Sequence, residues 1–490
     1  MTAVSEASAA PAARRDGRIC GREWWTLLVA MTGTFMAIMD SFIVNVALPS
    51  VRAELDASFA QAELAVSGYV LVYGLLLVTG GRLGDLFGAR RLFLIGTVVF
   101  TLASLAAGLA GDPVTLIAFR AAQAAGAALF YPQVLAVLQI VFTGRARATA
   151  FAVFGATIGL ASIAGQAIGG LLIHLDLFGL GWRNVFLVNV PLGLLALIGA
   201  ARTLPAGHTA DGDAGHACSL DLAGVGLLSA ALLLLIGPLT LGQQAGWPAW
   251  TWFSLGAALP AAAAFLAWER RLASRGGSPL IDPALFRLRT FAAGNAIAVA
   301  FFAGNAGLFF VLTLHLQNGM GYSPLAAGLT FVPLAVTFSL ASMLAPRLQG
   351  RYGRHVLTWG YVINAVGTLA LLITAWAAGT GLTGWIMLPA LAVIGFGEGL
   401  GVSPLMGSVL AGVPARSAGS AGGVLETAGQ VGMSLGVTVL GLLFSAALGG
   451  THDAAAAPDA YTDAFTVTLV GNLALALAAM ALLPPLVRKH

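Results

Sequence analysis

Long apolar runs alternate with short polar segments along almost the whole chain. A helix that crosses a membrane needs about 20 mostly apolar residues, and fourteen runs meet that requirement. The pattern therefore predicts an all-α, polytopic membrane protein with fourteen transmembrane helices. The predicted helices cover residues 24–48, 61–80, 92–110, 113–142, 148–173, 183–201, 221–241, 250–268, 291–316, 324–345, 356–376, 385–411, 421–447 and 465–487.

The basic residues lie almost entirely on one side of this arrangement. The two ends and the loops that follow even-numbered helices carry 21 of the 24 Lys and Arg residues, whereas the opposite loops carry Arg52 and Arg183. The remaining one, Arg120, lies within a predicted helix. Because positively charged loops stay in the cytoplasm, both termini are expected there. Residues 1–23 then form a cytoplasmic tail, and the loop 449–464 lies outside.

Two long cytoplasmic loops, residues 202–220 and 269–290, flank a pair of helices joined by a short turn. Six predicted helices precede this pair and six follow it. We therefore expect a first six-helix bundle at residues 24–201, an inserted hairpin at 221–268 and a second six-helix bundle at 291–487. Duplicated halves are typical of secondary transporters.

A weak repeat relates the loop after helix 2 to the loop after helix 10. Aligning Gly88 with Gly353 places Asp85 opposite Gly350. The second copy therefore keeps the turn and has lost the carboxylate.

Composition excludes most other classes of protein. The 490 residues are 58% hydrophobic and 9% charged, with a mean hydropathy of +0.90, whereas soluble proteins carry about 25% charged residues. Basic cytoplasmic loops explain the net charge of +4 without a nucleic-acid partner. The sequence has one lysine, Lys489, and no P-loop, and its two cysteines, Cys20 and Cys218, are both expected in the cytoplasm and are too few for a metal site. We expect no enzymatic activity, cofactor or metal.

The loop between predicted helices 2 and 3 carries the most specific polar motif. Gly81 and Gly88 allow a tight turn, and Asp85 can lie at a helix N-terminus, where the helix dipole stabilises an anion. Together with Arg90 and Arg91, these residues are interpreted as a cytoplasmic gate that holds the two halves together while the outside is open. The alternative is a short turn whose arginines only set the topology.

This loop resembles motif A of the major facilitator superfamily, and further segments agree in order and spacing. Residues 40–49 (DSFIVNVALP) resemble the first-helix motif of its 14-helix drug:proton antiporters, and residues 120–126 (RAAQAAG) resemble motif B. Residues 182–193 (WRNVFLVNVPLG) are similar to the segment that enters helix 6. The resemblance runs from helix 1 to helix 14 and implies the major facilitator fold and drug export by alternating access. Residues 165–170 (GQAIGG) depart from motif C because they lack its proline.

Two opposite charges are expected at similar depth in the first half. Asp40 lies about 8 residues from the predicted outer end of helix 1, and Arg120 about 7 residues from that of helix 4, so both are roughly 10–12 Å deep. Inserting a carboxylate into the membrane costs roughly 2.5–3.5 kcal/mol, and such a group commonly has a function. Asp40 is therefore the first candidate for a proton carrier, with Arg120 as the partner that senses its protonation. The alternative is a static ion pair, or packing against a hydroxyl such as that of Ser41.

The second half adds two acidic candidates for proton coupling. Glu398 lies near the middle of helix 12 among alternating glycines, and Glu426 lies about six residues into helix 13. Both could contact protons or substrate. Glu426 could instead cap a helix or pair with Arg416.

Eight amide side chains within the predicted helices are softer candidates, because such residues more often join helices than bind ligands. Four are candidates for lining a substrate cavity, namely Asn45, Gln123, Gln166 and Asn305. The other four are Asn189, Asn295, Asn364 and Gln430.

Together, the residues and the resemblance predict a secondary transporter of the cell membrane that exports an amphipathic organic compound in exchange for protons. The proton gradient supplies the energy, and a monomer is sufficient. A proton symporter, or a lipid or peptide transporter on the same fold, is the alternative among transporters. A receptor or a membrane enzyme would need a large soluble loop or a catalytic cluster, and the longest predicted loops are about 20 residues.

Overall fold

The computed structural model describes residues 21–205, 220–242, 246–449 and 458–487. Most of the predicted N-terminal tail, with Cys20, and the segment containing Cys218 lie outside these residues. Within them the chain is almost entirely helical, and fourteen helices are long and apolar enough to cross a membrane. The predicted all-α class and the predicted number of membrane helices are confirmed.

The membrane helices are numbered here α1 to α14. The first six are α1 (Arg22–Leu55), α2 (Phe59–Phe87), α3 (Ala89–Gly108), α4 (Pro113–Val141), α5 (Gly144–Leu175) and α6 (Asn189–Thr203). The inserted pair is α7 (Leu222–Leu241) and α8 (Ala249–Ser274). The last six are α9 (Arg289–Leu314), α10 (Val332–Tyr352), α11 (His355–Ala378), α12 (Gly384–Leu410), α13 (Ala418–Ala447) and α14 (Pro458–Ala481). Short helical segments at Asn184–Leu187 and Pro324–Thr330 precede α6 and α10, and Pro484–Val487 follows α14.

Helix α1 is longer than the apolar pattern predicts. It continues past residue 48 to Leu55 and ends at Asp56, which adopts a left-handed conformation with φ 48°. Residues 50–55 (SVRAEL) are too polar to extend an apolar run, yet Val51 on this turn is buried. Asp40 is therefore farther from the end of its helix than the sequence pattern indicated.

Small residues on α5 allow close packing on both sides of this helix. Gly165 and Gly169 face the backbone and side chain of Ile43 on α1, whereas Gly155 and Gly159 face Ser342 and Phe338 on α10. Helix α5 runs from Gly144 to Leu175 as one continuous helix, in keeping with the missing proline of motif C. One face of α5 therefore holds the first half together, and the other contacts the second half.

A second seam between the halves is formed by α2 and α13. A methyl group on Gly81 would overlap the carbonyl oxygen of Gly419, and one on Gly423 would lie 2.6 Å from the carbonyl oxygen of Leu77. Glycines thus bring the two backbones into direct contact at the ends of α2 and α13 that the charge bias assigns to the cytoplasm. The two halves are closed against each other along this seam.

The inserted hairpin lies across the same seam. Helix α7 packs against α8 and also against α2 and α13, which belong to different halves. Its Ile236 lies over Gly74 of α2, and the Thr438 hydroxyl of α13 donates a hydrogen bond to the carbonyl oxygen of Leu239 at 3.0 Å. The hairpin is therefore in contact with both halves at once.

Candidate functional site

A buried ion pair joins α1 to α4 inside the first half. The Nη1 atom of Arg120 lies 2.5 Å from Oδ2 of Asp40, and the two side chains are 1% and 0% exposed. Removing a charge from water is costly unless the charge is paired and hydrogen-bonded. The two residues predicted to lie at matching depth therefore satisfy each other.

Two amides complete the shell around the carboxylate of Asp40. Gln123 on α4 and Asn189 on α6 each donate a side-chain N–H to Oδ1 of Asp40 at 2.8 Å. The same two amides donate to the hydroxyl of Ser104 on α3, which in turn donates to the carbonyl oxygen of Phe186 at 2.9 Å. Donors from α4 and α6 thus hold Asp40 on α1, and Ser104 links the same two amides to α3.

Arg120 has further partners that would keep it in place if Asp40 lost its charge. Its Nε atom donates to the carbonyl oxygen of Ala65 at 3.1 Å, and its Nη1 donates to Oε1 of Gln123 at 2.7 Å. The guanidinium also lies 4.2 Å from the ring centre of Tyr69, which is cation–π geometry. Protonation would therefore weaken the hold of Asp40 on this cluster and leave the arginine anchored to α2 and α4.

The gate motif reaches across to the other half of the molecule. The two carboxylate oxygens of Asp85 accept the backbone N–H groups of Gly419 at 2.7 Å and Ser420 at 2.8 Å. These N–H groups lie in the first turn of α13, where they have no partner within the helix and the helix dipole favours an anion. The predicted helix N-terminus is that of α13, in the second half.

Other residues around the turn between α2 and α3 lie at the same end of the molecule. Arg82 donates to the hydroxyl of Ser278 in the segment between α8 and α9. Gly88, with φ 93°, makes the turn between α2 and α3, a conformation that favours glycine. Arg90 donates to the carbonyl oxygen of Ala201 near the end of α6 at 2.6 Å, and Arg91 is exposed.

Glu398 lies inside the second half, on α12. Its side chain is 2% exposed, and its Oε1 accepts a hydrogen bond from Nδ2 of Asn305 on α9 at 2.7 Å. Among the described residues, no Lys, Arg or His forms an ion pair with it. Because its partner Asn305 is on α9, Glu398 forms its contact within the second half, whereas the Asp40 cluster lies in the first half.

Glu426 occupies a different environment, at the seam between the halves. It lies on the face of α13 between Gly423, which packs against Leu77 of α2, and Gln430, which packs against Gly74 of α2, and its Oε1 is buried without a hydrogen-bond partner among the described residues. No ion pair between Glu426 and Arg416 is formed in this part of the chain. The alternative of pairing with Arg416 receives no support.

The four amides proposed for a substrate cavity are not brought together. Gln123 belongs to the Asp40 cluster and Asn305 contacts Glu398, so these two lie in separate halves. The side chains of Asn45 and Gln166 lie outside the described structure. Sequence reasoning did not single out Ser104, and it placed Asn189 among residues that join helices. Its position within residues 182–193, which already carried a family resemblance, was the available signal.

Known proteins resemble this chain along most of its length. Residues 30–214 and 200–437 match the profile of the Major Facilitator Superfamily. The chain is similar to three curated proteins, each given with its identity and the shares of this chain and of the relative that are covered. They are a probable actinorhodin transporter of Streptomyces coelicolor (40%; 89% and 75%), a tetracenomycin C resistance and export protein of Streptomyces glaucescens (34%; 91% and 79%), and a cephamycin export protein of Amycolatopsis lactamdurans (37%; 94% and 93%).

Solved structures share the architecture at low sequence identity. The human organic anion transporter MFSD10 superimposes with a TM-score of 0.63 at 15% identity, over 93% of this chain and 100% of that chain. The proton:xylose symporter XylE superimposes with a TM-score of 0.59 at 16% identity, over 94% of each chain. At these identities the likeness shows the fold alone.

Proposed function

Because this chain belongs to the major facilitator superfamily, we propose that it exports amphipathic organic compounds from the cell in exchange for protons. The observation that supports coupling most directly is the buried pair of Asp40 and Arg120. The relatives named above are transport, export or resistance proteins for antibiotics, which supports a small organic compound as the substrate.

In this proposal Asp40 is the proton carrier. When a proton from outside reaches its carboxylate, the charge pairing with Arg120 is lost, and the donors of Gln123 and Asn189 no longer face an anion. The helices α1, α4 and α6 then lose part of the interaction that holds them together. Release of the proton to the cytoplasm restores the pair, which couples one titration to a change in helix packing.

Asp85 supplies the second element of the cycle. The conformation described here has its cytoplasmic side closed, with Asp85 on the first turn of α13. To load a substrate from the cytoplasm, α2 and α13 must separate, and this contact must break. The gate therefore makes the closed state favourable without covalent links between the halves.

Glu426 is assigned to substrate binding. It lies on the face of α13 that packs against α2, where Tyr73 is stacked with Tyr69 at 6.0 Å between ring centres and lies edge-on to Tyr131 of α4 at 6.1 Å. A carboxylate beside aromatic faces suits a compound with a flat apolar body and a polar or cationic group.

The protein acts as a monomer in the cell membrane with both termini in the cytoplasm, and it uses no cofactor.

The test uses purified protein in liposomes with an imposed pH gradient and tetracenomycin C as the first compound of a panel that includes a cephamycin. We expect gradient-dependent movement of at least one compound, with protons moving in the opposite direction, and loss of both when an ionophore dissipates the gradient. Movement of compound and protons in the same direction would establish the symporter instead. Transport that is indifferent to the gradient would contradict proton coupling.

A further inference from the structure

The second half contains a small cavity enclosed by α9, α11, α12 and α14. Its polar lining consists of Asn305, Tyr361, Asn364, Glu398 and Asn472. The space has room for about one water molecule. An organic substrate does not fit there.

The polar groups of this cavity are incompletely satisfied. Glu398 accepts one hydrogen bond, from Asn305. The Oδ1 atom of Asn472 and the hydroxyl of Tyr361 are buried without hydrogen-bond partners among the described residues. Buried polar atoms are normally hydrogen-bonded. The amide oxygen of Asn472 can only accept and the hydroxyl of Tyr361 can both donate and accept, so one further donor in the cavity would allow both groups to be satisfied. A proton on the carboxyl of Glu398 supplies one.

The charge balance leads to the same conclusion. The other groups that line the cavity are uncharged, and the phenol of Tyr361 is the one titratable group among them. Helix α10, which also packs against α12, presents the Ser342 hydroxyl to the carbonyl oxygen of Gly399. A buried carboxylate without a counter-charge is far less stable than the neutral acid. Asp40, by contrast, has the guanidinium of Arg120 as its counter-charge.

The cavity is also the repeat-related counterpart of the Asp40 cluster. Asp40 precedes Gly88 by 48 residues, and Asn305 precedes the aligned Gly353 by the same 48 residues. Each cluster uses the first, third, fourth and sixth helices of its half. In the first half an acid on the first helix accepts from amides on the fourth and sixth. In the second half an amide on the first helix donates to an acid on the fourth.

We propose that Glu398, together with Asn305 and Asn472, forms a second proton-binding site, occupied in the conformation described here. The site needs no arginine, because its acid is neutral when the cytoplasmic side is closed. If the proposed function holds, a transport cycle that empties both sites carries two protons per molecule exported. Proton binding at Glu398 does not depend on which compound is transported.

Infrared difference spectroscopy on the full chain in lipid membranes tests proton binding without any substrate. At neutral pH the wild type should show the C=O stretch of a protonated carboxyl, and Glu398→Gln should lose it. The matched controls Asp40→Asn and Glu426→Gln remove two other acids within the membrane helices and should keep the Glu398 band. A Glu398→Gln spectrum identical to that of the wild type would overturn the proposal.

A second variant keeps the test decisive if Glu398→Gln does not fold. Asn305→Leu removes the N–H that bonds Oε1 of Glu398 and leaves the acid in place. The band should persist and shift to higher frequency, because a free C=O is stiffer. A band that neither shifts nor responds to the substitution would belong to another residue and would overturn the assignment.

Transport stoichiometry tests the consequence. In liposomes, the pH gradient that just balances a gradient of tetracenomycin C should indicate two protons per molecule in the wild type and one in Glu398→Gln. One proton per molecule in both proteins would overturn the second site as part of the cycle. Absence of gradient-driven transport for every compound would overturn the proposed function, and the infrared result would still decide whether Glu398 binds a proton.

Discussion

Asp85, near the end of α2, accepts the backbone N–H of Gly419 at 2.7 Å, although 334 residues separate the two in the chain. The carboxylate thus acts as a helix cap that one half of the molecule supplies to the other. Capping contacts of this kind stabilise a helix end by about 0.5–2 kcal/mol. Here that free energy favours one conformation of the transporter over another.

Asn has one acceptor oxygen for the two N–H groups that Asp85 binds. We therefore expect Asp85→Asn to shift the protein away from the cytoplasm-closed state by a factor of about 2–13, which corresponds to the roughly 0.5–1.5 kcal/mol of one hydrogen bond. Efflux should fall while expression and folding stay near normal, because the contact lies near the surface of the bundle. Cysteine accessibility at the cytoplasmic end of α13 measures the shift. The control is Asp112→Asn, because Asp112 caps its own helix α4 through Val114 and Thr115. Equal efflux by the wild type and Asp85→Asn would indicate that the loop is only a short turn whose arginines set the topology.

Asp40→Asn should abolish accumulation driven by a pH gradient, because the amide cannot release a proton. Passive exchange of substrate across liposomes should persist, since the neutral amide resembles the protonated acid. The control is Glu54→Gln, which breaks a partly exposed ion pair with Arg183, and pairs of that kind contribute little to stability. Wild-type accumulation by Asp40→Asn would remove Asp40 from the coupling mechanism.

Gly81→Ala should prevent tight closure of the cytoplasmic side. The added methyl group would overlap the carbonyl oxygen of Gly419 and lie 3.1 Å from the Cα of Ser420, and neither backbone atom can move alone. Gly350→Ala is the matched control. Gly350 lies near the C-terminal end of α10, as Gly81 does in α2, but there is open space around its Cα. Efflux should fall in the first variant and stay unchanged in the second. Unimpaired efflux by Gly81→Ala would mean that the seam is looser than described.

Glu426→Gln should weaken transport of cationic compounds more than that of neutral ones, because it removes a charge and keeps the shape of the side chain. The ratio of apparent affinities for a cationic and a neutral member of the panel measures this effect. Gln430→Glu, one helical turn further along α13, provides the reciprocal test and should favour cations. A parallel loss for both classes of compound in Glu426→Gln would indicate a structural role.

Labelling with a membrane-impermeant thiol reagent tests the topology. Cys20 and Cys218, both outside the described residues, should resist labelling in sealed cells. A cysteine introduced at Gly111, which is exposed in the turn between α3 and α4, should react. Strong labelling of either native cysteine would contradict the prediction that both cysteines lie in the cytoplasm.

The sequence was most informative about depth along the helices. Apolar run lengths gave the fourteen helices, and equal distances from the predicted helix ends indicated that Asp40 and Arg120 could meet. Hydropathy contains little information about the rotation of a helix about its axis. Gln123 was therefore expected to line a substrate cavity, whereas it bonds Asp40.

Contacts between the halves could not be predicted from the sequence, because they also depend on how the helices are rotated and packed. Asp85 was recognised as an anion suited to a helix N-terminus, but the choice of α13 depends on how two bundles pack. Asn472 was not singled out at all, because a single amide in an apolar helix has no distinguishing pattern. Its importance depends on Glu398, which lies 74 positions earlier in the sequence and lines the same cavity.

The position of α7 has a mechanical consequence. Two rigid bodies that rock about a shared axis can open freely. Here the α7–α8 hairpin packs against both bodies along one side of that axis. Ile236 rests on α2 and Leu239 is bonded to α13, so the hairpin must slide over at least one of its supports whenever the halves change their angle. The two flanks of the transporter are therefore unequal, and the flank that carries the hairpin limits the amplitude of the motion.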